Sequence, residues 1–341
     1  MQKHERKTRC WACSSLFVQR WGKQLGRQRF KCNHCGIYFT SENPGVKQNN
    51  ELIWFRNWVI ERQTLSYISK DSGISVRQLQ RKFDIYLKSY PQWLIPYQKV
   101  VNLVIDGTYF KNKICLFVYR NSTLSNTLLY RTTNAEHANE IYEDLINILK
   151  LGIVIESITC DGHTSALSAI KKVNKWIISE SKGEKENTKT PQLIVVQRCL
   201  VHIQRNCLDH LKKEHKSIEG RRLRAICMTI CKIETEEHRD LFIAALAYWF
   251  KENGDYVTQY STSSSGKRWR THKDLYCAYN GLKRALKDMF HYITNPNIPA
   301  STNSVESFFG HLKEAVTIHR GLSFEHQKNF LRWYIYFKNQ C

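Results

Sequence analysis

The chain has 341 residues and a formal net charge of +22 at pH 7. Hydrophobic residues make up 42% of it, with nine tryptophans, which excludes a basic disordered tail and predicts folded cores. No apolar run approaches the roughly 20 residues of a membrane span, and the N-terminus lacks an apolar signal region, so we expect a soluble, intracellular protein without a membrane partner. A charge of this size predicts an acidic partner. Nucleic acid is the first candidate, and a basic ribosomal or membrane-surface protein is the alternative.

The first fifty residues contain two pairs of closely spaced cysteines. Cys10 and Cys13 form one C-x2-C pair, and Cys32 and Cys35 form the other. Each pair places two thiolates on one tight turn, and two such turns complete a tetrahedral sulfur site. Without a secretion signal, metal sites and buried thiols are favoured over disulfides. The spacing therefore predicts a zinc ribbon over residues 1–48, with one structural Zn²⁺ held by these four sulfurs.

A helix-turn-helix domain is predicted over residues 49–90. Thr64 and Ser75 are suited to cap two short helices, and Gly73 lies in the turn between them. The second helix carries outward-facing polar side chains that suit base edges and phosphates, and the predicted DNA-binding residues here are Ser75, Arg77, Gln78, Arg81 and Lys82. A helical hairpin with a solvated basic face is the simpler alternative.

Residues 91–99, which contain two prolines, are predicted to form a linker, and from residue 100 strands alternate with helices. Strands are predicted over Val100–Ile105, Lys113–Arg120, Thr127–Thr132, Ile153–Cys160 and Leu193–Gln197. Helices follow the third and fourth of them, so the order is β-β-β-α-β-α-β. That order predicts an α/β fold, an RNase H-like core, within a domain of residues 100–341.

Two acidic residues follow strands of this predicted sheet. Asp106 and then Gly107 come directly after the first strand, and Asp161 and then Gly162 come directly after the fourth. The first and fourth strands of an RNase H-like fold are neighbours, so we expect both carboxylates at one edge of the sheet. Carboxylate oxygens there could share a divalent cation. Taken singly, each Asp-Gly pair is also what a simple turn at a strand end uses.

A long helical stretch of about residues 203–295 follows the fifth strand and predicts an all-α insertion in the sheet domain. Within it lies a basic segment with an aromatic residue, Lys267, Arg268, Trp269 and Arg270, that could hold DNA by phosphate contacts and base stacking. A partly buried tryptophan on a basic face is the alternative. After the insertion, Asn303 is suited to cap a helix and places Glu306 on its first turn.

The three acidic residues Asp106, Asp161 and Glu306, two at strand ends and one on a helix after a helical insertion, resemble the pattern of the DDE transposases. The segment Cys199-Leu200-Val201-His202 is similar to the C-x2-H signature of the Mutator-like group, which includes bacterial insertion-sequence relatives. Thr302–Glu306 resembles that group's segment around the catalytic glutamate. The resemblance covers about residues 100–320, and the ribbon with the helix-turn-helix is similar to the end-binding region of some insertion-sequence transposases.

The resemblance implies a DNA transposase that binds the terminal inverted repeats of its mobile element, cuts them and joins them to double-stranded target DNA. It implies Asp106, Asp161 and Glu306 as catalytic ligands of two Mg²⁺ (or Mn²⁺) ions. It also implies Cys199 and His202 as accessory residues of the active site. Because two element ends must be held together, it implies a homodimer or a higher oligomer, in a bacterial cytoplasm and associated with the nucleoid.

Other hypotheses remain open at this stage. The chain could be a catalytically inactive, transposase-derived DNA-binding regulator, or an RNase H-like nuclease. Glu306 three residues after Asn303 also fits a capping box. Cys199 and His202 fit buried packing groups beside the active site, which is favoured over a second zinc site that would add Cys207 and His210.

Overall fold

The computed structural model describes residues 8–10, 15–24, 27–40, 44–183, 191–213 and 215–340. Its internal contacts divide the chain into two units: residues 1–91 together with 315–341, and residues 92–314. No helix in the part of the chain that the structure describes is long and apolar enough to span a membrane.

The N-terminal segment of the first unit is a three-stranded antiparallel sheet. Its strands are β1 (Val18–Gln24), β2 (Arg27–Cys32) and β3 (Tyr38–Thr40). Phe30 of β2 lies opposite Phe39 of β3, and both rings pack into a small buried cluster with Cys10 and Cys32. One face of this sheet therefore covers Cys10 and Cys32. Cys13 lies outside the described residues.

Three helices follow in the first unit: α1 (Pro44–Ile60), α2 (Leu65–Ser72) and α3 (Val76–Leu87). The predicted caps are confirmed. The side chain of Thr64 accepts a hydrogen bond from Tyr67 N, and Ser75 forms a capping box with Gln78. Gly73 ends α2 at φ 70°, a left-handed conformation that glycine adopts without strain.

The C-terminal helix, Phe324–Lys338, belongs to the same unit and packs on α1 and α3. Rings from this helix, among them Trp333 and Phe337, meet Phe55 of α1. Trp333 also donates from Nε1 to the carbonyl of Tyr86 at 2.9 Å. The sequence prediction joined residues 315–341 to the sheet domain, whereas their contacts group them with the first unit. An aromatic face shows that a helix is buried without indicating which partner covers it.

The second unit is built on a mixed five-stranded sheet of order β6-β5-β4-β7-β8. Its strands are β4 (Val100–Tyr109), β5 (Cys115–Asn121), β6 (Thr127–Thr133), β7 (Val154–Cys160) and β8 (Val195–Arg198). The first three strands pair antiparallel, and β4, β7 and β8 pair parallel. The predicted adjacency of the first and fourth strands, β4 and β7, is therefore confirmed.

The first strand extends further than the sequence predicted. We expected it to end at Ile105, but β4 continues through Asp106 and Gly107 to Tyr109. The reason is its antiparallel partner β5, which pairs with β4 as far as Tyr109. On the other side, the parallel ladder with β7 ends at Val104. Asp106 is therefore paired with β5 on one side, whereas on the other side it lies beyond the end of the ladder with β7.

Helices α4 (Ala138–Lys150) and α5 (Thr164–Gly183) connect the later strands and pack against each other. Their apolar faces join residues of β4 and β7 in one buried cluster, which includes Leu103, Leu145 and Ile158. This core holds the strands that carry Asp106 and Asp161.

The remainder of the second unit is largely helical. Its helices are α6 (Leu200–His210), α7 (Ile218–Cys227), α8 (Glu236–Thr258), α9 (Lys273–Ala285), α10 (His291–Thr294) and α11 (Asn303–Ile318), whose last residues group with the first unit; the C-terminal helix is α12.

The prediction of an all-α insertion is wrong in one place. A two-stranded hairpin, β9 (Tyr260–Thr262) and β10 (Arg268–Arg270), lies between α8 and α9. Gly266, at φ 79°, allows the turn that joins the two strands. Strands of three residues are too short to show a clear alternation in sequence.

Candidate active site

Asp106 lies on β4, and Asp161 directly follows the neighbouring strand β7. The last parallel pair between β4 and β7 is Val104 with Thr159. Each aspartate lies two residues beyond its member of that pair, so both carboxylates leave the sheet at the same edge. The predicted meeting of Asp106 and Asp161 is supported by this register.

The charge of Asp161 acts on Asp106. Burial, and next the negative charge of Asp161, raise the pKa of Asp106 to about 7. A hydrogen bond from Gly107 N to Asp106 Oδ1, at 2.8 Å, and the nearby His202 offset part of that rise. Asp161 Oδ1 accepts from His163 N at 2.7 Å. A cation beside the two carboxylates would offset the effect of the Asp161 charge on Asp106.

A further acidic residue, Glu136, lies beside the two aspartates and was not predicted from the sequence. Burial and the charge of Asp161 raise the pKa of Glu136 above its usual value. His163 Nδ1 approaches Glu136 Oε2 at 3.9 Å. A Cβ atom on Gly107 would overlap with the Glu136 carboxylate, so glycine is needed for this close approach. Nothing in the sequence distinguishes Glu136 from other polar residues between the third strand and the helix that follows it.

The third predicted carboxylate, Glu306, lies on the first turn of α11, as expected, although the helix begins at Asn303 itself. Glu306 Oε1 accepts from Thr302 Oγ1 at 3.3 Å and lies 3.8 Å from His202 Nδ1. Glu306 Oε2 accepts from Arg205 Nη1 at 3.2 Å. The carboxylate is therefore held from both sides by residues of α6 and by the residue before α11.

The segment before α11 is fastened to β7 and to the start of α6. Thr159 Oγ1 donates to the carbonyl of Pro299 at 2.9 Å, and Leu200 N donates to the carbonyl of Ala300 at 3.0 Å. Thr302 donates from both N and Oγ1 to Cys199 Sγ, each at 3.3 Å. These bonds determine where Glu306 lies relative to the strand that precedes Asp161.

Cys199 and His202, the predicted accessory residues, form a hydrogen-bonded pair in this corner. Burial would raise the pKa of the Cys199 thiol, but hydrogen bonds from His202 and Thr302 lower it below its usual value. The pKa of His202 is raised by its bond to Cys199, and further by the charges of Glu306 and Asp106. His202 therefore interacts with the sheet-edge carboxylate and with the helix-borne one.

The donors of this region fall into two groups. The sulfur of Cys199, a ring nitrogen of His202 and a carboxylate oxygen of Glu306 all lie within 4.8 Å of one another. Asp106 and Asp161 are outside that compact group. A zinc site that combines Cys199 and His202 with Cys207 and His210 is not favoured. Cys207 is buried in the helical core, and its thiol is directed at the carbonyl of Ala278.

The ribbon cysteines that the structure describes converge. Sulfur donors of Cys10, Cys32 and Cys35 lie within 4.8 Å of one another, and the sulfurs of Cys10 and Cys35 are 3.6 Å apart. In a tetrahedral site with Zn–S bonds of about 2.3 Å, neighbouring sulfurs are roughly 3.8 Å apart. The donor set fits zinc, and its fourth predicted member, Cys13, falls outside the described residues.

The predicted DNA-binding residues of α3 differ in their surroundings. Arg77 and Arg81 are exposed. Ser75 and Gln78 are engaged with each other in the capping box, and Lys82 forms an ion pair with Glu51 of α1. Arg77 and Arg81 are thus the members whose side chains are best disposed to meet a ligand.

The predicted DNA-binding residues of the β9–β10 hairpin also differ in their exposure. Lys267 and Arg268 are exposed, and the Trp269 side chain is 47% exposed. Arg270 instead lies with its guanidinium over the rings of Tyr260 and Tyr276, at 4.1 and 4.0 Å, and donates to the Thr258 carbonyl. Arg270 stabilises the hairpin. Lys267, Arg268 and Trp269 are exposed, although Arg268 also lies over the Tyr260 ring at 4.8 Å.

The ribbon has an exposed aromatic and basic face that the sequence prediction did not single out. Trp21 and Tyr38 are 46% and 42% exposed and meet edge to face. Arg29 lies over Tyr38, and Lys31 lies over Trp21. The alternation of β2 that turns Phe30 inward turns Arg29 and Lys31 outward, so this face could have been derived from the strand pattern.

No family model matches the chain, and a search of curated proteins found no match. Among solved structures, the Drosophila P element transposase strand transfer complex is similar, with a TM-score of 0.34 and 12% sequence identity over 84% of this chain and 91% of that chain. At this level of similarity the function has to be inferred from the residues of the chain itself.

Proposed function

We propose that this chain is a DNA transposase of the Mutator-like kind whose catalytic carboxylates are Asp106, Asp161 and Glu306. The observation that carries the proposal is the β4–β7 register, which brings Asp106 and Asp161 out at one sheet edge, with the pKa of Asp106 raised to about 7. A carboxyl group whose pKa is raised by burial and by a neighbouring charge, in a partly open position, is typical of functional sites.

The sheet supports an RNase H-like core. Three antiparallel strands are followed by two parallel ones, and β4 lies between β5 and β7. In that arrangement the acidic residues of β4 and β7 are neighbours, and a helix after an insertion contributes the third. Glu306 on α11 fits this third position, because Thr302 and Arg205 hold its carboxylate.

The oxygen-rich sheet edge fits Mg²⁺ or Mn²⁺, and Asp106, Asp161 and Glu306 are the residues that would hold two such ions. When bound, the ions supply the positive charge that phosphodiester cleavage and strand transfer need at the reacting oxygens. Among the chain's own groups, Glu136 adds negative charge behind Asp161, and His202 adds a titratable nitrogen between Asp106 and Glu306.

DNA is the partner that the charge and the exposed side chains support. The chain carries a formal charge of +22. Exposed cations lie on α3 (Arg77, Arg81) and on the hairpin with Trp269, and half-buried cations lie over the exposed rings of the ribbon face. Phosphate contacts of this kind give a strong dependence of affinity on salt. We further propose that the protein acts as a homodimer or higher oligomer on two element ends, with one structural Zn²⁺ in the ribbon.

The proposal is tested with Asp106→Asn in the full chain, on DNA carrying the ends of the element. The variant removes one proposed metal-binding carboxylate and keeps the size of the side chain. We expect Mg²⁺-dependent strand cleavage to fall by at least about a thousandfold, since the reacting groups lose their positioning and charge. The dissociation constant for the DNA should change by less than about twofold. Asp209→Asn, on the exposed side of α6, is the matched control and should cleave normally.

The product distinguishes the proposed activity from its alternatives. Joining of the cut 3′ end to a second DNA molecule is expected for a transposase. Cleavage without joining would indicate an RNase H-like nuclease instead. Specific binding by the wild-type chain with no cleavage in Mg²⁺ or Mn²⁺ would indicate a DNA-binding regulator, and equal cleavage by Asp106→Asn would exclude Asp106 as a catalytic residue.

A further inference from the structure

The corner between α6 and α11 contains a mixed set of metal-binding atoms. A thiol sulfur, an imidazole nitrogen and a carboxylate oxygen, from Cys199, His202 and Glu306, lie within 4.8 Å of one another. The distance between His202 Nδ1 and Glu306 Oε1 is 3.8 Å. In a tetrahedral zinc site with these ligand types, neighbouring donors are about 3.3–3.8 Å apart. Small side-chain movements would therefore bring the three donors to zinc-binding distances.

The backbone that carries these donors is already held in place. Cys199 immediately precedes α6, His202 lies on the first turn of α6, and Glu306 lies on the first turn of α11. The two helix starts are joined by the bonds from Thr302 to Cys199 Sγ and from Leu200 N to the Ala300 carbonyl. Donors on helix turns that are fixed to each other need little ordering when an ion binds.

Exposure leaves a path for an ion. Cys199 is fully buried, whereas the side chains of His202 and Glu306 are 25% and 30% exposed. The sulfur therefore forms the floor of the site, and the other two donors form its solvent side. A water molecule can complete four-coordination from that side, as in zinc sites with three protein ligands.

The chemical type of the donor atoms determines which cation each site prefers. Sulfur and imidazole suit Zn²⁺, whereas Mg²⁺ takes oxygen ligands almost exclusively. Asp106 and Asp161 offer oxygens alone, and Glu306 can serve either set. We propose that Cys199, His202 and Glu306 form a second Zn²⁺ site, and that zinc bound there withdraws Glu306 from the catalytic carboxylates and so inhibits the enzyme.

The binding part of this proposal stands on the geometry, and the inhibitory part rests on the proposed function. Zinc content measures the first part without any activity. The full chain is dialysed against buffered micromolar Zn²⁺, and metal is counted per chain by mass spectrometry. We expect two Zn²⁺ in the wild type and one in Cys199→Ser. Cys277→Ser removes a half-buried thiol of α9 and is the matched control, which should keep two.

A second variant tests whether zinc loss in Cys199→Ser could result from misfolding. His202→Asn should also hold one Zn²⁺, with a circular dichroism spectrum like that of the wild type. One Zn²⁺ in the wild type, or two in both Cys199→Ser and His202→Asn, would overturn the proposed site.

The inhibitory part is tested by the ratio of Mg²⁺-dependent cleavage with and without micromolar Zn²⁺, each protein serving as its own reference. We expect zinc to slow the wild type by at least about tenfold and Cys199→Ser by less than about twofold. Equal slowing of both would refute inhibition through this site. A wild type that binds two Zn²⁺ and never cleaves DNA would instead remove the proposed function and leave the zinc site standing.

Discussion

The two donor sets of this chain, the ribbon sulfurs and the sheet-edge carboxylates, are built in different ways. Cys10, Cys32 and Cys35 come from 26 consecutive residues and are held by one small sheet. Asp106, Asp161 and Glu306 come from positions spread over 200 residues: one is on a strand, one directly follows a strand and one is on a helix. A local set can be recognised from sequence spacing, because two turns that are close in the chain can come together in only a few arrangements. A distributed set depends on strand order and register.

The two sets also differ in the amount of buried core that supports them. Few of the described ribbon residues are buried, so we expect the fold of the ribbon to depend on the proposed Zn²⁺. The sheet edge has a large buried core beneath it, and that core holds two aspartates together although their charges repel. Metal loss should therefore unfold the ribbon, whereas charge removal should stabilise the sheet unit.

The largest expected effect is the loss of a ribbon ligand. In Cys32→Ser, one sulfur of the set is replaced by a weaker oxygen donor. Because the free energy of structural zinc binding, roughly 10–16 kcal/mol in zinc-finger peptides, is also folding free energy, we expect the ribbon to unfold and to lose its metal. Hydrogen exchange of residues 15–40 and zinc content per chain measure the two effects.

Strand β7 in the other unit serves as the internal reference for that measurement, and its exchange should not change. Cys277→Ser is the control for the loss of a thiol. Protected amides over residues 27–40 in a zinc-depleted Cys32→Ser protein would show that the ribbon folds without metal, and the comparison with the sheet edge would then fail.

The second expected effect is a pH dependence that is unusual for an aspartate. The pKa of Asp106 is raised from 3.8 to about 7, so the folded chain keeps this proton over a range where the unfolded chain has lost it. Stability from this group is therefore full below about pH 4 and is lost as the pH rises through 7. Without divalent cations, the loss between pH 5 and 8 should be on the order of 2 kcal/mol, after allowance for partial exposure.

Urea unfolding at pH 4, 5 and 8, with Asp106→Asn beside the wild type, checks the sign. The variant should be the more stable protein at pH 8 and about equal to the wild type at pH 4. Asp209→Asn, an exposed carboxylate of α6, should follow the wild type throughout. A wild type that gains stability relative to Asp106→Asn as the pH rises would show that Asp106 is stabilised in its charged form.

Local features of the fold followed directly from the sequence. The caps Thr64 and Ser75 and the left-handed Gly73 depend on neighbours within a few residues, and all three predictions were confirmed. The strand order also followed, because buried strands alternate with amphipathic helices. The end of β4 did not, since it depends on how far β5 remains paired with it.

The candidate site was predicted less completely, for a similar reason. Asp106 and Asp161 were expected together because each follows an apolar strand. Glu136 was missed because its approach to Gly107 depends on the path between β6 and α4, which no spacing encodes. The contact of Thr302 with Cys199 joins positions 103 residues apart and was equally hidden.

The smallest expected effect concerns that last contact. Thr302 Oγ1 lies 3.3 Å from Cys199 Sγ, His202 Nδ1 and Glu306 Oε1. Thr302→Val keeps the shape of the side chain and removes the hydroxyl that joins them. We expect a loss of about 1 kcal/mol of stability, typical of one hydrogen-bonding group. Cleavage should slow by about tenfold, because Glu306 is held less firmly, while the dissociation constant for DNA stays the same.

Thr302→Ser is the informative partner of this variant, because it restores the hydroxyl and lacks only the methyl group. If the hydroxyl positions Glu306, Thr302→Ser should cleave at close to the wild-type rate while Thr302→Val does not. Equal rates for the two variants would assign the effect to packing. The helix-borne carboxylate would then be placed by the backbone bonds of residues 299–302 and by Arg205, much as Asp106 and Asp161 are placed by the ladder between β4 and β7.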